Sequence, residues 1–245
     1  MSTIKMNRRG LDLMKCKLLS HSPLEVDDLA AIDALHYEQR RLEAGSYILR
    51  EGDPSKICPV LFSGFAFRHK ITANGGRQIV AVKMPGDALD FQSIFVRHAD
   101  HCLQALTQIE IATVRIEDIE RLFVDYPNIA RAIVVDIVIE ASIGREWLLN
   151  IGRRNGFTRI AHLLCEIHFR LAITGTGLLA DKLPLTQEQL ADLLGLSPVH
   201  VNRCLKALEL RGAIVRQGRS VRIRDLGALR SIAEFTDLYL HSDDS

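Results

Sequence analysis

Most marks of a secreted, membrane-bound or catalytic chain are missing from these 245 residues. The five cysteines (Cys16, Cys58, Cys102, Cys165 and Cys204) stand singly and are odd in number, which argues against a disulfide framework or a zinc knuckle. No apolar run approaches the roughly 18 residues that a membrane span needs. The opening Met1–Arg9 carries basic residues without an apolar stretch of signal-peptide length behind them, so a cytoplasmic protein with reduced thiols and no membrane partner is expected. Net charge is nearly absent, at +1, which excludes a generally sticky polycation. Histidine is also sparse where a metal-dependent β-barrel enzyme would need it. Between Arg41 and Ile116 only His69, His98 and His101 occur, with no His-x-His pair and nothing resembling a nucleophile beside its base.

What is present is concentrated near the carboxyl end. Thr186 and Gln189 have the spacing of a capping box, and the helix they open turns Leu190, Ala191 and Leu194 inward. Gly195 falls where a left-handed stop is needed. Ser197-Pro198 then supplies a second start, a serine cap followed by proline at the first helical position. In the helix that follows, Val201, Cys204, Leu205 and Leu208 recur at three- and four-residue spacing and face inward. Val199, His200, Asn202, Arg203 and Lys206 are left on the faces open to a partner. Two short helices crossing at a tight turn, with these residues outward, predict a DNA-binding helix-turn-helix whose second helix enters the major groove.

The next residues, Ala213 to Arg224, form two alternating runs around Gln217-Gly218, a hairpin by turn chemistry and the expected wing of a winged helix. From Ser197 to Arg224 seven basic residues (Arg203, Lys206, Arg211, Arg216, Arg219, Arg222, Arg224) face the single acid Glu209, a local charge of +6. A positive stripe on an otherwise neutral chain is an electrostatic footprint for phosphates. Thr186 and Gln187, at the positive end of the first helix, are expected to anchor one phosphate, and Arg219 and Arg222 on the wing others.

The amino-terminal half has another texture. After a helix expected from Pro23 to about His36, short alternating pieces from Arg41 to about Ile116 are separated by Gly45, Gly52-Asp53-Pro54, Ser63-Gly64, Asn74-Gly75-Gly76 and Pro85-Gly86-Asp87, the pattern of a small antiparallel β-roll. A short helix near Glu117–Phe123 is expected to follow. Pro127 to about Asn150 then reads as one long helix, apolar on more than one face. Ile133, Ile137, Ala141, Gly144, Leu148 and Ile151 recur along it at steps of four and three, a seam suited to a second copy of the same helix or to the monomer's own core. The expected class is α+β: a β-roll sensor domain with an amino-terminal helix over 1–126, a dimerisation helix over 127–152 and a winged helix-turn-helix over 153–245.

This order of parts resembles the cyclic-AMP-receptor/fumarate-nitrate-regulator (Crp/Fnr) family of bacterial transcription factors. The resemblance rests on Glu51-Gly-Asp-Pro54, Pro85-Gly-Asp87, the junction Gly152 to Cys165, and the helix-turn-helix with its wing. It implies a homodimer that sets two recognition helices in successive major grooves of a palindromic site and contacts RNA polymerase. Arg203 matches the family position that reads a guanine. Pro198 and Val199 stand where cyclic-AMP-type members present Arg and Glu, so a different half-site is expected, with Val199 near a thymine methyl and His200 or Asn202 at a base or phosphate.

The sensor departs from the family. Cyclic-nucleotide-binding members carry a Gly-Glu pair for the ribose and an Arg-Ser or Arg-Ala pair for the phosphate. Aligned from Gly86, this chain has Asp90-Phe91 and His101-Cys102 at those places, and a phosphate without its arginine loses a charge-assisted bidentate contact. Response to cyclic AMP is therefore not expected, and the effector is unknown. Nor do the cysteines cluster as in the iron-sulfur branch, only Cys16 lying early. No cofactor is expected, the one conceivable haem or metal site being His98, His101 and Cys102. Two other readings stay open: a helix-turn-helix kept as a protein-docking surface, and the metal-dependent barrel enzyme.

Overall fold

The computed structural model describes residues 9–54, 56–175, 185–217 and 220–241. They divide into two compact units, the first ending at His69 and resuming over Val82–Ala141, the second comprising Lys70–Ala81 and Ser142–His241. The class is α+β, with an antiparallel β-roll followed by helices and a winged helix-turn-helix.

In the roll, β1 (Tyr37–Leu42), β3 (Ile57–Ser63) and β7 (Ile109–Arg115) form one sheet in the order β1-β7-β3. Strands β2 (Tyr47–Leu49), β4 (Ala66–Ile71), β5 (Arg77–Lys83) and β6 (Cys102–Ala105) form another in the order β2-β6-β4-β5. The central strand β7 pairs antiparallel with both neighbours, Gln39 and Val60 each opposite Ala112. Successive side chains of a strand point to opposite faces, and here both faces are buried. Leu61, Ile109 and Ile111 pack with Leu89, Leu103 and Ala105 between the sheets. Val60, Phe62, Ala112 and Val114 pack instead against helices.

Those helices are α1 (Arg9–Leu19), α2 (Val26–Asp33), α3 (Ile116–Asp125) and the first turns of α4 (Pro127–Arg153). Helix α1 was not foreseen, although Leu11, Met14 and Leu18 recur at steps of three and four and all are buried. Helix α2 is shorter than its expected Pro23–His36, and β1 begins at Tyr37, four residues before the anticipated start of the roll.

The second unit contains the end of α4, then α5 (Gly156–Ile173), α6 (Gln187–Leu194), α7 (Pro198–Leu210), the hairpin β8 (Ile214–Gln217) and β9 (Ser220–Ile223), and α8 (Leu226–Ala233). The break between α4 and α5 is made by Asn155, whose side chain accepts from Thr158 N. Arg159 bolts this corner. Its guanidinium donates to Ile151 O at 2.6 Å, Arg154 O at 2.8 Å and Leu194 O at 2.8 Å, satisfying carbonyls that helix ends leave without partners. Below it, fully buried Glu166 accepts from Trp147 Nε1 and Tyr239 OH, each at 2.9 Å.

Candidate nucleic-acid interface

The helix-turn-helix is built from local signals. Thr186 caps α6 by accepting from Gln189 N at 3.2 Å, and Gln189 Oε1 accepts from Thr186 N at 2.9 Å, a reciprocal capping box. Gly195 ends α6 at φ 61° and ψ 42°, the left-handed region in which a Cβ is penalised. Ser197 then caps α7 through His200 N, with Pro198 in the first turn. Leu190, Ala191 and Leu194 of α6 and Val201, Cys204, Leu205 and Leu208 of α7 are buried together. Burial holds the Cys204 thiol above its ordinary pKa, so it behaves as a small apolar side chain rather than a thiolate.

Packing of that face leaves a fixed outward one. Ser197, Pro198, Val199, Asn202, Arg203 and Lys206 are all exposed. His200 is exposed too, but its ring leans on the start of α5: a Cβ at Gly156 would lie 2.6 Å from Nε2. A side chain at that position would displace the His200 ring, and His200 is less free to reach a base than its neighbours. The spacing gave no sign of this contact.

The wing pairs in the register Ile214 with Ile223 and Gln217 with Ser220. Arg222 is exposed while Val221 beside it is buried. Arg219 lies outside the described residues. Glu209, the one acid of the segment, accepts from the backbone N–H of Arg216 at 3.0 Å and so ties the wing to α7. Among the described residues Arg203, Lys206, Arg216 and Arg222 make no ion pair with a protein carboxylate, and Arg211 stacks over Phe157 at 4.8 Å. A groove lined by Thr186, Gln187, Pro198, Leu205, Arg216 and Ser220 separates the start of α6 from the wing. The surface thus offers exposed cations around a rigid helix, the arrangement that phosphates and base edges complement.

The seam expected on α4 needs correction. Ile133 is 1% exposed and Ile137 is partly buried, and both pack in the core of the first unit. They cannot face a second chain. Two residues of the expected seam, Ala141 and Leu148 (74% exposed), do lie open, in line with Val134, Val138 (52% exposed) and Arg145. Gly144 and Ile151 are half-buried along its margin.

Each of the four cassette positions is engaged within the roll. Phe91 packs in the helix-side core. Asp90, 2% exposed, lies 3.9 Å from the Arg68 guanidinium, and burial raises its pKa. His101 Nδ1 sits 2.8 Å from Asp100 Oδ1 and 3.3 Å from Gln92 Nε2, with its pKa lowered by burial and by Arg68. Cys102 Sγ accepts from Glu51 N at 3.4 Å, and His98 bridges to Pro54. Among the described residues no group of three or more His, Cys, Asp or Glu is placed to hold a metal ion, and no helix is long and apolar enough to cross a membrane.

Comparison with known proteins divides the chain in the same way. Residues 39–126 match the cyclic nucleotide-binding domain, and residues 158–232 the Crp-like helix-turn-helix domain. The transcriptional activator protein FnrL of Cereibacter sphaeroides is 28% identical over 208 residues, 83% of either chain. The transcriptional activator protein anr of Pseudomonas aeruginosa is 24% identical over 237 residues, 94% of this chain and 96% of that one. Among solved structures, FixK2 from Bradyrhizobium japonicum superposes with a TM-score of 0.73 over 82% of this chain and 100% of its own, at 23% identity, which shows a shared fold.

Proposed function

We propose that this chain, which belongs to the Crp/Fnr family of DNA-binding transcriptional regulators, reads a two-fold-symmetric operator as a homodimer and does so without cyclic AMP. It is a regulator and not an enzyme. The observation that carries the reading is the outward face of α7, capped at Ser197, where Arg203 and Lys206 are exposed and, among the described residues, make no ion pair with a carboxylate.

Arg203 donates to a guanine O6/N7, the side chain and edge that match best in the major groove. Val199 meets a thymine methyl and Asn202 a base edge or phosphate. Lys206, Arg222 and Arg219 neutralise phosphates, while Thr186 and Gln187 present the amino end of α6 to another. The exposed stripe Val134, Val138, Ala141 and Leu148 supports self-association, because its three- and four-residue steps suit a partner helix and leave large apolar side chains in water otherwise. Two-fold symmetry then sets half-sites about one helical turn apart. Independence from cyclic AMP is supported by His101-Cys102 standing at the phosphate pair. Family resemblance supports contact with RNA polymerase and a cytoplasmic location.

Selection of bound fragments from random DNA, with and without cyclic AMP, tests the reading. An inverted repeat enriched equally in both arms is the expected result. Enrichment only with the nucleotide overturns the ligand part, and a strictly monomeric protein with no inverted-repeat preference overturns the whole.

A further inference from the structure

Three charged groups of the first unit meet at one point, and none belongs to the cassette read from the sequence. Arg68 on β4 and Lys83 on β5 both turn to Glu140 on α4. Arg68 Nη1 donates to Glu140 Oε2 at 2.9 Å, and the Lys83 ammonium pairs with Glu140 Oε1. The side chains of Arg68 and Lys83 are only 10% and 1% exposed, whereas that of Glu140 is 26% exposed. Arg68 also donates to Leu89 O and lies 3.9 Å from Asp90, while its buried Nε has no partner. Lys83 reaches Ala88 O only at 3.5 Å.

Buried cations persist in proteins when they are paired. Here one carboxylate, supplied by the long helix and partly open to water, serves two of them. We propose that Arg68 and Lys83 form an anion site in the roll whose resident ligand is the chain's own Glu140 carboxylate, so that α4 is held to the roll by an internal anion where a ligand-dependent roll would need an external one. A site of this geometry, once vacated, takes a small carboxylate or phosphate. Burial and the Arg68 charge also push the Lys83 amine well below its usual pKa, against the opposing pull of Asp87 and Asp136.

The test uses the full chain and needs no DNA, so its outcome is separate from that of operator binding. Thermal midpoints of the wild type and Glu140→Ala are measured in sodium acetate, inorganic phosphate and, at matched ionic strength, sodium chloride. The variant is expected to melt at least about 6 °C lower in chloride and to recover in acetate and phosphate, while the wild type does not distinguish the three salts. Recovery should vanish when Lys83→Met is added. A variant blind to acetate and phosphate, a wild type that responds as strongly, or recovery persisting in the double variant each overturns the proposal. If Glu140→Ala does not fold, the same series is run on Glu140→Gln, which keeps the volume and one accepting oxygen. A Gln variant that melts with the wild type and ignores the anions overturns the proposal as well.

Discussion

Two sets of cations, one in each unit, are treated in opposite ways. In the first, Lys17 pairs with Asp87 at 2.8 Å and Asp136 at 2.6 Å, and Arg68 and Lys83 with Glu140, all six groups being largely withdrawn from water. In the second, Arg203, Lys206 and Arg222 are exposed and, among the described residues, pair with no acid. The difference follows from what each cation is for. A charge taken out of water is costly unless a partner is fixed beside it, whereas a cation meant for phosphate must not already be neutralised by its own chain. The charges of Lys17, Arg68 and Lys83 are structural, and those of Arg203, Lys206 and Arg222 are left for another molecule.

If that contrast is right, the largest effect comes from breaking a pair in the roll. Asp136 is 2% exposed, lies between Lys17 and His21, and has its pKa held down by Lys17 despite its burial. Asp136→Ala leaves a buried cation short of a partner and should cost about 3–5 kcal/mol in urea unfolding. A loss of under about 1 kcal/mol, the range of exposed pairs, would abolish the distinction between the units.

A second, smaller effect is shared by both units. Burial lowers the pKa of His21 in the first and of His162 in the second to about 4. The unfolded chain takes up these protons near pH 6.5, the folded one only near 4, so between those values the unfolded state binds more protons. Stability should therefore fall as pH drops from about 6.5 toward 4, by on the order of 2–3 kcal/mol for each group. His162→Gln, which cannot charge, should flatten that slope in calorimetric melts across the range. A slope identical to wild type would take His162 out of the acid response.

These two predictions rest on contacts that no pattern in the chain announces. The winged helix was legible because its determinants are neighbours: Thr186 and Gln189, Gly195, and Ser197-Pro198 each act within a turn or two. The pairing of Glu140 with Arg68 and Lys83 spans 72 and 57 residues and depends on how the roll closes. Helix α4 shows the boundary between the cases. Ile133-Val134 and Ile137-Val138 offer two adjacent apolar stripes, and only the core of the first unit decides which is covered. Spacing took the inner stripe at Ile133 and Ile137 and the outer one at Ala141 and Leu148. Similarly, Arg203 and Lys206 could be placed outward from the periodicity, but the lean of His200 onto Gly156 comes from a different helix. The positions of Asp90, Phe91, His101 and Cys102 came from alignment alone, whereas the core and polar contacts that each makes depend on how the roll closes.

The contrast can be sharpened on the DNA-reading side, where stability should stay still while binding moves. Arg203→Ala removes no protein partner, so its melting curve should match wild type within about 0.5 kcal/mol. Against the selected operator it should lose about 1–3 kcal/mol of discrimination between the right base and a wrong one, read by fluorescence anisotropy on matched and mismatched duplexes. Equal weakening on both duplexes would reduce Arg203 to a backbone contact.

The smallest effect is the most diagnostic of the wing. Arg222 stands on β9 opposite Val215, exposed, with Val221 beside it buried against the domain, so its substitution should leave the hairpin folded. A phosphate contact contributes through released counterions, about 0.9 in the slope of log K against log salt. A homodimer carries the residue twice, and Arg222→Ala should therefore flatten the slope by about 1.8 on operator and scrambled DNA alike. Arg203→Ala, by contrast, should act chiefly through sequence. If Arg222→Ala leaves the slope unchanged, the wing does not touch the duplex, and the exposed charge of the second unit narrows to α7 alone.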